Sequence, residues 1–396
     1  MMANMSTTRN PYKATLGASP PLLVGRDEAI RDFSYALDDG PGTHERISLT
    51  IGPRGIGKTA LLNAFESQAR ERGWVVISES ATEGFTERLR TTIIQKFAKD
   101  KKKLRGLNLT LFGIGLGANW ESNTLVNSTY SLRDALKDLL AYQRSLDEKL
   151  GQPPTGVFIS LDEMHYQRSR EVIDFGTTIQ HLVREDEEIA VTMAGIPSAI
   201  KPLLASRLRG SDSFNPVTFL RRAHQIELDT ISDTNVREAL AAPLAETDVH
   251  WSKEALDIAV AGCQGYPFMI QLVGQCTFHE KEDGIITEKS ARAGIKRAQT
   301  RLGKLVHEAA LSDLSAVDRT FLIHMAKDDG PSNVSDIATR MNKTASYISN
   351  YRKRLLEAEM ILDTGRGKID FALPYLRDYL REHASRMVTS DDFYDG

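Results

Sequence analysis

Two short stretches hold the residues best suited to chemistry. Gly52-Pro53-Arg54-Gly55-Ile56-Gly57-Lys58-Thr59 fits the spacing G-x-x-x-x-G-K-[ST]. Glycines in such a loop let backbone N–H groups turn inward around phosphate oxygens. The helix that follows adds the positive end of its dipole. Lys58 supplies a mobile charge for β- and γ-phosphates, the Thr59 hydroxyl a ligand for Mg²⁺, and Ala60 continues the cradle. The second stretch, Val157-Phe158-Ile159-Ser160-Leu161-Asp162-Glu163, is an apolar run ending in two carboxylates. Asp162 is expected to hold Mg²⁺ through water, and Glu163 to orient or deprotonate an attacking water. The expected catalytic set is thus Lys58, Asp162 and Glu163, with ATP and Mg²⁺ as the cofactors.

These residues need a scaffold that brings strand ends together. Apolar runs at 47–51, 74–78, 157–161, 189–194 and 225–228 read as strands, and the first four are nearly continuously apolar. Helical periodicity fills the intervals 59–72, 85–103, 131–150, 169–184 and 198–209. Such alternation predicts an α/β fold, a P-loop-type parallel sheet with helices on both faces. Ligands of open α/β sheets bind at the carboxyl edge, where both stretches end. Residues 104–120, rich in alternating apolar residues and glycines, read as an inserted hairpin.

Beyond Leu228 the pattern is helical, with Ser232 and Ser252 as N-caps. From about 312 the order is helix, helix, turn, helix, two short strands around Gly365-Arg366-Gly367, and helix. That is a winged helix-turn-helix order. The expected organisation is a flexible segment (1–20), a core (21–230), a helical lid (231–311), a winged helix (312–385) and a tail (386–396).

In the third unit, Ile348, Tyr351 and Leu355 form an inward stripe. Ser346, Tyr347, Ser349, Asn350, Lys353 and Arg354 are left for other faces, and Arg366 and Lys368 flank the wing tip. From 340 to 368 seven basic residues face three acidic ones. Double-stranded DNA is therefore an expected partner, with side chains on base edges and phosphates. A solvated basic face used for protein contact is the alternative.

The 396 residues contain 50 Lys+Arg and 53 Asp+Glu, a net charge of −3, which excludes a histone-like polycation. A hydrophobic share of 41% and a charged share of 26% exclude a disordered or collagenous chain. No run reaches the roughly 18–20 apolar residues of a membrane span, so no membrane role is expected. Cys263 and Cys276 stand in apolar helical patterns without metal-ligand spacing and read as buried thiols, pointing to a cytoplasmic protein.

Together the residues resemble AAA+ or STAND-type P-loop ATPases. More narrowly, they are similar to initiator (origin-recognition)-like AAA ATPases with a C-terminal winged helix. Leu23-Val24-Gly25-Arg26-Asp27 matches the VGR(E/D) box of that family, and Gly265-Tyr266-Pro267-Phe268 resembles its G-x-P lid signature. The resemblance implies that Leu23 and Val24 meet adenine, that Arg26 approaches the nucleotide and that Pro267 packs near adenine. It implies an ATP-binding and ATP-hydrolysing switch that couples nucleotide state to DNA binding or to self-association. The runner-up is a signalling or defence scaffold whose winged helix contacts protein, and a motor or chaperone ring stands third. The sequence departs from the family at the polar sensor of the fourth strand, where only Thr192 offers itself. It also lacks a lid arginine at Pro267; Arg292 and Arg297 come later. Arg207, Arg209, Arg221 and Arg222 are the candidate arginine fingers.

Overall fold

The computed structural model describes residues 9–15, 17–103, 130–164, 169–204 and 220–387. The expected hairpin at 104–120, His165, Arg207, Arg209 and most of the tail lie outside them. The chain divides into two compact units. One comprises residues 26–52 and 61–227, the other 1–25, 53–60 and 228–396.

The first unit is built on five parallel strands: β1 Ile47–Ile51, β2 Val75–Ser80, β3 Val157–Met164, β4 Ile189–Gly195 and β5 His224–Glu227. Their order is β2-β3-β4-β1-β5. This is the expected parallel α/β sheet. Around it lie α1 Asp27–Asp39, α2 Lys58–Glu71, α3 Phe85–Lys103, α4 Leu132–Leu150, α5 Ser169–Arg184 and α6 Pro197–Leu204. Every residue of β1 and β4 is buried, as a sheet covered on both faces requires. Ser131 opens α4 with a reciprocal capping box to Asp134, and Gly151 closes it in the left-handed region.

The strands also bury hydroxyls. Ser160 pairs with Thr192, and Thr192 with Ser48, in the strand register. Ser48 and Thr192 share a hydrogen bond of 2.8 Å, and Ser160 donates to Glu66 of α2 at 2.6 Å. Thr192, the only residue available as a fourth-strand sensor, thus spends its hydroxyl inside the sheet.

The second unit contains α7 Asp233–Ala241, α8 Lys253–Cys263, α9 Pro267–His279 and α10 Glu288–Leu302. Two-residue strands, β6 His250–Trp251 and β7 Ile285–Ile286, pair beside them. Ser232, Ser252 and Thr287 each accept a backbone N–H as N-caps. The single helix expected at 288–311 runs as α10, a π-helical stretch Gly303–His307 and α11 Glu308–Ser312. Cys263 and Cys276 are free and buried. Residues 9–15 are no loose lead-in. Tyr12 is 2% exposed, its hydroxyl donates to the Leu240 carbonyl and Lys13 N–H donates to Gln271. An aromatic ring in a polar stretch here found an apolar slot that local composition does not reveal.

The chain continues through α12 Ala316–Met325, β8 Ser332–Asn333, α13 Val334–Met341, α14 Ala345–Glu357, β9 Ile361–Gly365, β10 Lys368–Phe371 and α15 Leu376–Met387. The three strands form an antiparallel sheet in the order β8-β10-β9. Ile337, Ile348 and Leu355 are fully buried, while Tyr351 is half-buried. This module is anchored to the helices before it. Tyr375 donates to the Gly262 carbonyl at 2.8 Å, and His307 bonds the Pro374 carbonyl at 2.9 Å. Burial lowers the His307 pKa to about 4. Among the described residues no helix is long and apolar enough to cross a membrane.

Candidate nucleotide site

The loop starts where β1 ends. Gly52 N–H donates to the Gly195 carbonyl at the end of β4, so the last residue before the turn is still held by the sheet. Gly55 and Gly57 have φ of +73° and +99°, the left-handed region that L side chains avoid. Ile56 between them is buried. Lys58 is the first residue of α2, and its ammonium donates to the Pro53 carbonyl at 2.8 Å. The loop therefore has the left-handed glycines, helix start and cation that phosphate binding needs. Thr59 and Ala60 follow in the first turn of α2, both half-buried.

Two contacts on this loop were not legible in the sequence. The Tyr266 phenol donates to the Arg54 carbonyl at 2.8 Å. It stands so near that a Cβ on Gly55 would come within 1.9 Å of its oxygen. Tyr266 is buried, which pushes its pKa up and keeps the hydroxyl a donor. The Arg54 guanidinium pairs with Asp313 at 3.2 Å, just ahead of α12. Pro267 opens α9 at the first helical position, and its Cβ lies 4.0 Å from where a Cβ on Gly57 would stand. Gly265-Tyr266-Pro267 sets an aromatic ring beside the helix-opening proline, but nothing in it names Arg54 as the partner.

The VGR box adds a second approach. Val24 is buried and Leu23 half-buried. Gly25 has φ +67°, and a Cβ there would meet the Asn235 amide at 2.8 Å. The Ile231 N–H donates to the Gly265 carbonyl at 2.8 Å, which ties the Tyr266-Pro267 turn to the segment leading into α7. Leu23, Val24, residues 53–60 and Pro267 thus belong to one compact unit. Arg26 is the N-cap residue of α1, half-buried.

Asp162 and Glu163 close β3, at the same sheet edge as Gly52. The pairing of β3 with β4 slips between Leu161 and Met164. At that bulge Glu163 takes φ +58°, and its N–H donates to the Asp162 carboxylate at 2.8 Å. A bulge and a left-handed non-glycine residue at a strand end cost energy and cluster at functional sites. They expose Glu163 while Asp162 stays half-buried. The half-buried Asp162 carboxylate is a hard oxygen donor of the kind Mg²⁺ takes.

The remaining arginines fall elsewhere. Arg221 and Arg222 sit just before β5, at the amino edge of the sheet, opposite to Asp162. Arg292 pairs with Glu288 and Arg297 with Glu280.

On the C-terminal module, Ser346, Ser349, Asn350, Lys353, Arg366 and Lys368 are exposed and Tyr347 is half-buried. Arg354 is also exposed, but its guanidinium is engaged with the buried Asp318 carboxylate at 2.6 Å. Arg340 pairs with Asp328, and Arg352 with Asp363. Three of the seven basic residues counted along 340–368 are therefore neutralised within the module. Lys343 lies over the Tyr347 ring at 5.4 Å, and Tyr347 in turn packs on Tyr351.

Residues 22–188 match the AAA ATPase domain family. The glycine loop and the strained acidic end of β3 both fall inside that span. Residues 304–380 match a domain of unknown function (DUF8462). No curated protein sequence matches the chain. Among solved structures, a Walker-type ATPase of Pyrococcus abyssi is similar at 19% identity and a TM-score of 0.63, covering 91% of this chain and 96% of that one. The likeness of fold therefore extends well beyond the AAA ATPase domain. The RuvB Holliday junction branch migration motor of Thermotoga maritima aligns at 17% identity over 90% of this chain and 95% of its own, with a TM-score of only 0.43.

Proposed function

We propose that the protein is an ATP-binding and ATP-hydrolysing switch whose nucleotide state is passed through a helical lid to a C-terminal winged helix. The observation that carries this reading is Arg54. Its carbonyl is held by Tyr266 at the start of α9, and its guanidinium by Asp313 at the start of the C-terminal module. One residue of the phosphate loop thus touches both elements that must respond. A ligand shifts an equilibrium only by binding the two states differently, and a triphosphate competes directly for the Arg54 guanidinium.

In this reading the loop N–H groups and Lys58 take the phosphates, Lys58 exchanging the Pro53 carbonyl for them. Leu23, Val24 and Pro267 flank the adenine, with Arg26 nearby. Thr59 and Asp162 are the oxygen donors for Mg²⁺, which neutralises charge on the phosphates. The Glu163 carboxylate takes the proton of the water that attacks the γ-phosphorus, and ADP leaves. The winged helix binds duplex DNA through Ser346, Ser349, Asn350 and Lys353, with Arg366 and Lys368 on the backbone. Tyr347 and Arg354 serve the module's own packing first. Buried free thiols suit a cytoplasmic protein. The scaffold alternative, a module that contacts protein or a second copy, is favoured by the three internally paired arginines.

The experiment is a titration of the full chain with ATP, ADP and a labelled duplex, with solution mass measured in parallel. Salt-sensitive duplex binding that changes with ATP supports the DNA-coupled switch. ATP-dependent mass change without duplex binding at low ionic strength transfers the reading to the scaffold. Absence of ATP binding defeats both.

A further inference from the structure

At the opposite end of β1 from the phosphate loop stands a group of side chains that the nucleotide chemistry does not use. The 3-10 turn His44–Arg46 leads into β1, and His224 begins β5, the edge strand paired with β1 in the register Ser48↔His224. One ligand atom each from His44, Glu45 and His224 falls within 4.8 Å of the others. Five residues of strand, about 16 Å, separate this edge from the loop edge.

We infer that His44, Glu45 and His224 form a binding site for a divalent transition-metal ion of the zinc class. The tautomer of His44 supports this. Its Nε2 lies 2.7 Å from the Arg222 carbonyl, which can only accept, so Nε2 carries the proton. The lone pair is therefore on Nδ1, the atom 4.0 Å from the Glu45 carboxylate. A ring N–H held by a backbone carbonyl is the outer-shell arrangement that metal-ligating histidines adopt, and it leaves the other nitrogen for the ion. The two imidazoles meet edge to face, with centroids 5.5 Å apart, rather than stacked.

Metal–nitrogen bonds of 2.0–2.1 Å in a tetrahedron place ligand atoms roughly 3.3 Å apart. Small side-chain rotations of exposed and half-buried residues close the gap from the present spacing. Two imidazoles and one carboxylate suit Zn²⁺, Co²⁺, Ni²⁺ or Cu²⁺, not Mg²⁺ or Ca²⁺, which prefer all-oxygen shells. The nearest buried cation does not oppose the charge, because Arg46 is engaged by Glu188 and by the Ala36 and Leu37 carbonyls. His44 also lines a cavity of about 470 Å³ with Thr43, Gln180, Arg184 and Arg222. A three-ligand ion leaves its fourth position open for a water. The ion would clasp edge strand β5 to the turn that starts β1.

The test is calorimetric titration of the full chain with ZnCl₂ in phosphate-free buffer, with circular dichroism melting to follow the fold. The expected result is one high-affinity Zn²⁺ per chain and a rise in the unfolding midpoint. Affinity should fall at least about tenfold in His44→Ala and in His224→Ala, and less in Glu45→Gln. Should the alanine variants misfold, Co²⁺ loading of the parent protein reads the same site by its visible bands. Intense four-coordinate bands support the site, and weak six-coordinate bands overturn it. No Zn²⁺ uptake, or equal uptake by a folded double variant through other histidines, also overturns it.

Discussion

The glycine loop and helix α14 both carry basic residues at spacings that suggest ligand surfaces, yet the structure treats them differently. In the loop Arg54 also pairs with a carboxylate, Asp313, but the backbone of the motif is set by its glycines and not by that pair. Lys58 rests on a carbonyl of its own loop, and the left-handed glycines fix the backbone whatever the rest of the chain does. In α14 and its surroundings, half-buried and buried carboxylates at Asp328, Asp318 and an exposed one at Asp363 take three of the basic side chains. Backbone conformation is dictated locally, so a motif that works through backbone survives folding intact. Surface charge is settled by whichever partner the fold brings near, so a count of charges does not.

The largest expected effect lies in the loop. Lys58→Ala removes the one motif lysine, which the proposed reading turns toward the phosphates. Two charge-assisted hydrogen bonds of about 1.5–3 kcal/mol each are lost, so Mg-ATP affinity should fall on the order of 100-fold or more. Calorimetry on a folded variant checks it; unchanged affinity would remove the loop from nucleotide binding.

Glu163→Gln keeps shape and the strained turn while deleting the base. ATP binding should persist and turnover should slow by about 100-fold, within the usual range for a general base. Parent-like turnover by the variant would give the role to another group.

His307 tests how the C-terminal module is held. The unfolded chain takes up this proton near pH 6.5, whereas the folded chain resists until about pH 4. Its contribution is neutral above 6.5 and increasingly destabilising as pH falls towards 4, with no further change below. The full difference is roughly 3 kcal/mol. Urea unfolding at pH 7.5 and 4.5 should show that loss in the parent and a smaller one in His307→Gln. Equal losses would mean the imidazole is not held neutral.

How much was legible follows the same division. The sheet was readable because buried parallel strands are continuously apolar, and the helix starts at 233 and 253 because Ser232 and Ser252 announce them. The loop and the Asp162-Glu163 strand end were readable from spacing. The bulge that sets Glu163 was not, because it depends on how β3 registers with β4. Tyr266 on Arg54 spans 212 residues and Arg354 on Asp318 spans 36, distances over which residue type alone names no partner. The bond that holds Thr192 to Ser48 was not readable either, because it crosses 144 residues of sequence.

Lys353, Arg366 and Lys368 are exposed and outside the ion pairs described above, and the first two serve as probes. Lys353→Glu with Arg366→Glu should weaken duplex binding by about tenfold at low salt and reduce the slope of log K against log salt by about 2. ATP affinity should not change. Arg354→Glu is a poor probe, because it leaves the buried Asp318 carboxylate with only its Ser315 cap and so disturbs the fold as well. A parent protein whose duplex binding survives the double reversal uses another surface.

The smallest effect sharpens the loop side. Tyr266→Phe deletes one hydroxyl and keeps the ring. The Arg54 carbonyl loses its donor, and the Arg54–Gly55 peptide, already in a left-handed turn, is freer to rotate. One neutral hydrogen bond is worth about 1 kcal/mol, so nucleotide affinity should fall about fivefold with little change in melting temperature. Because the ring still fills the space beside Gly55, Tyr266→Phe separates the hydrogen bond from simple packing. Equal ATP affinity in Tyr266→Phe and parent would mean that the phenol only packs, and that the lid does not grip the loop through Arg54. A loss confined to ATP, with ADP affinity unchanged, would instead place the grip at the γ-phosphate end of the loop.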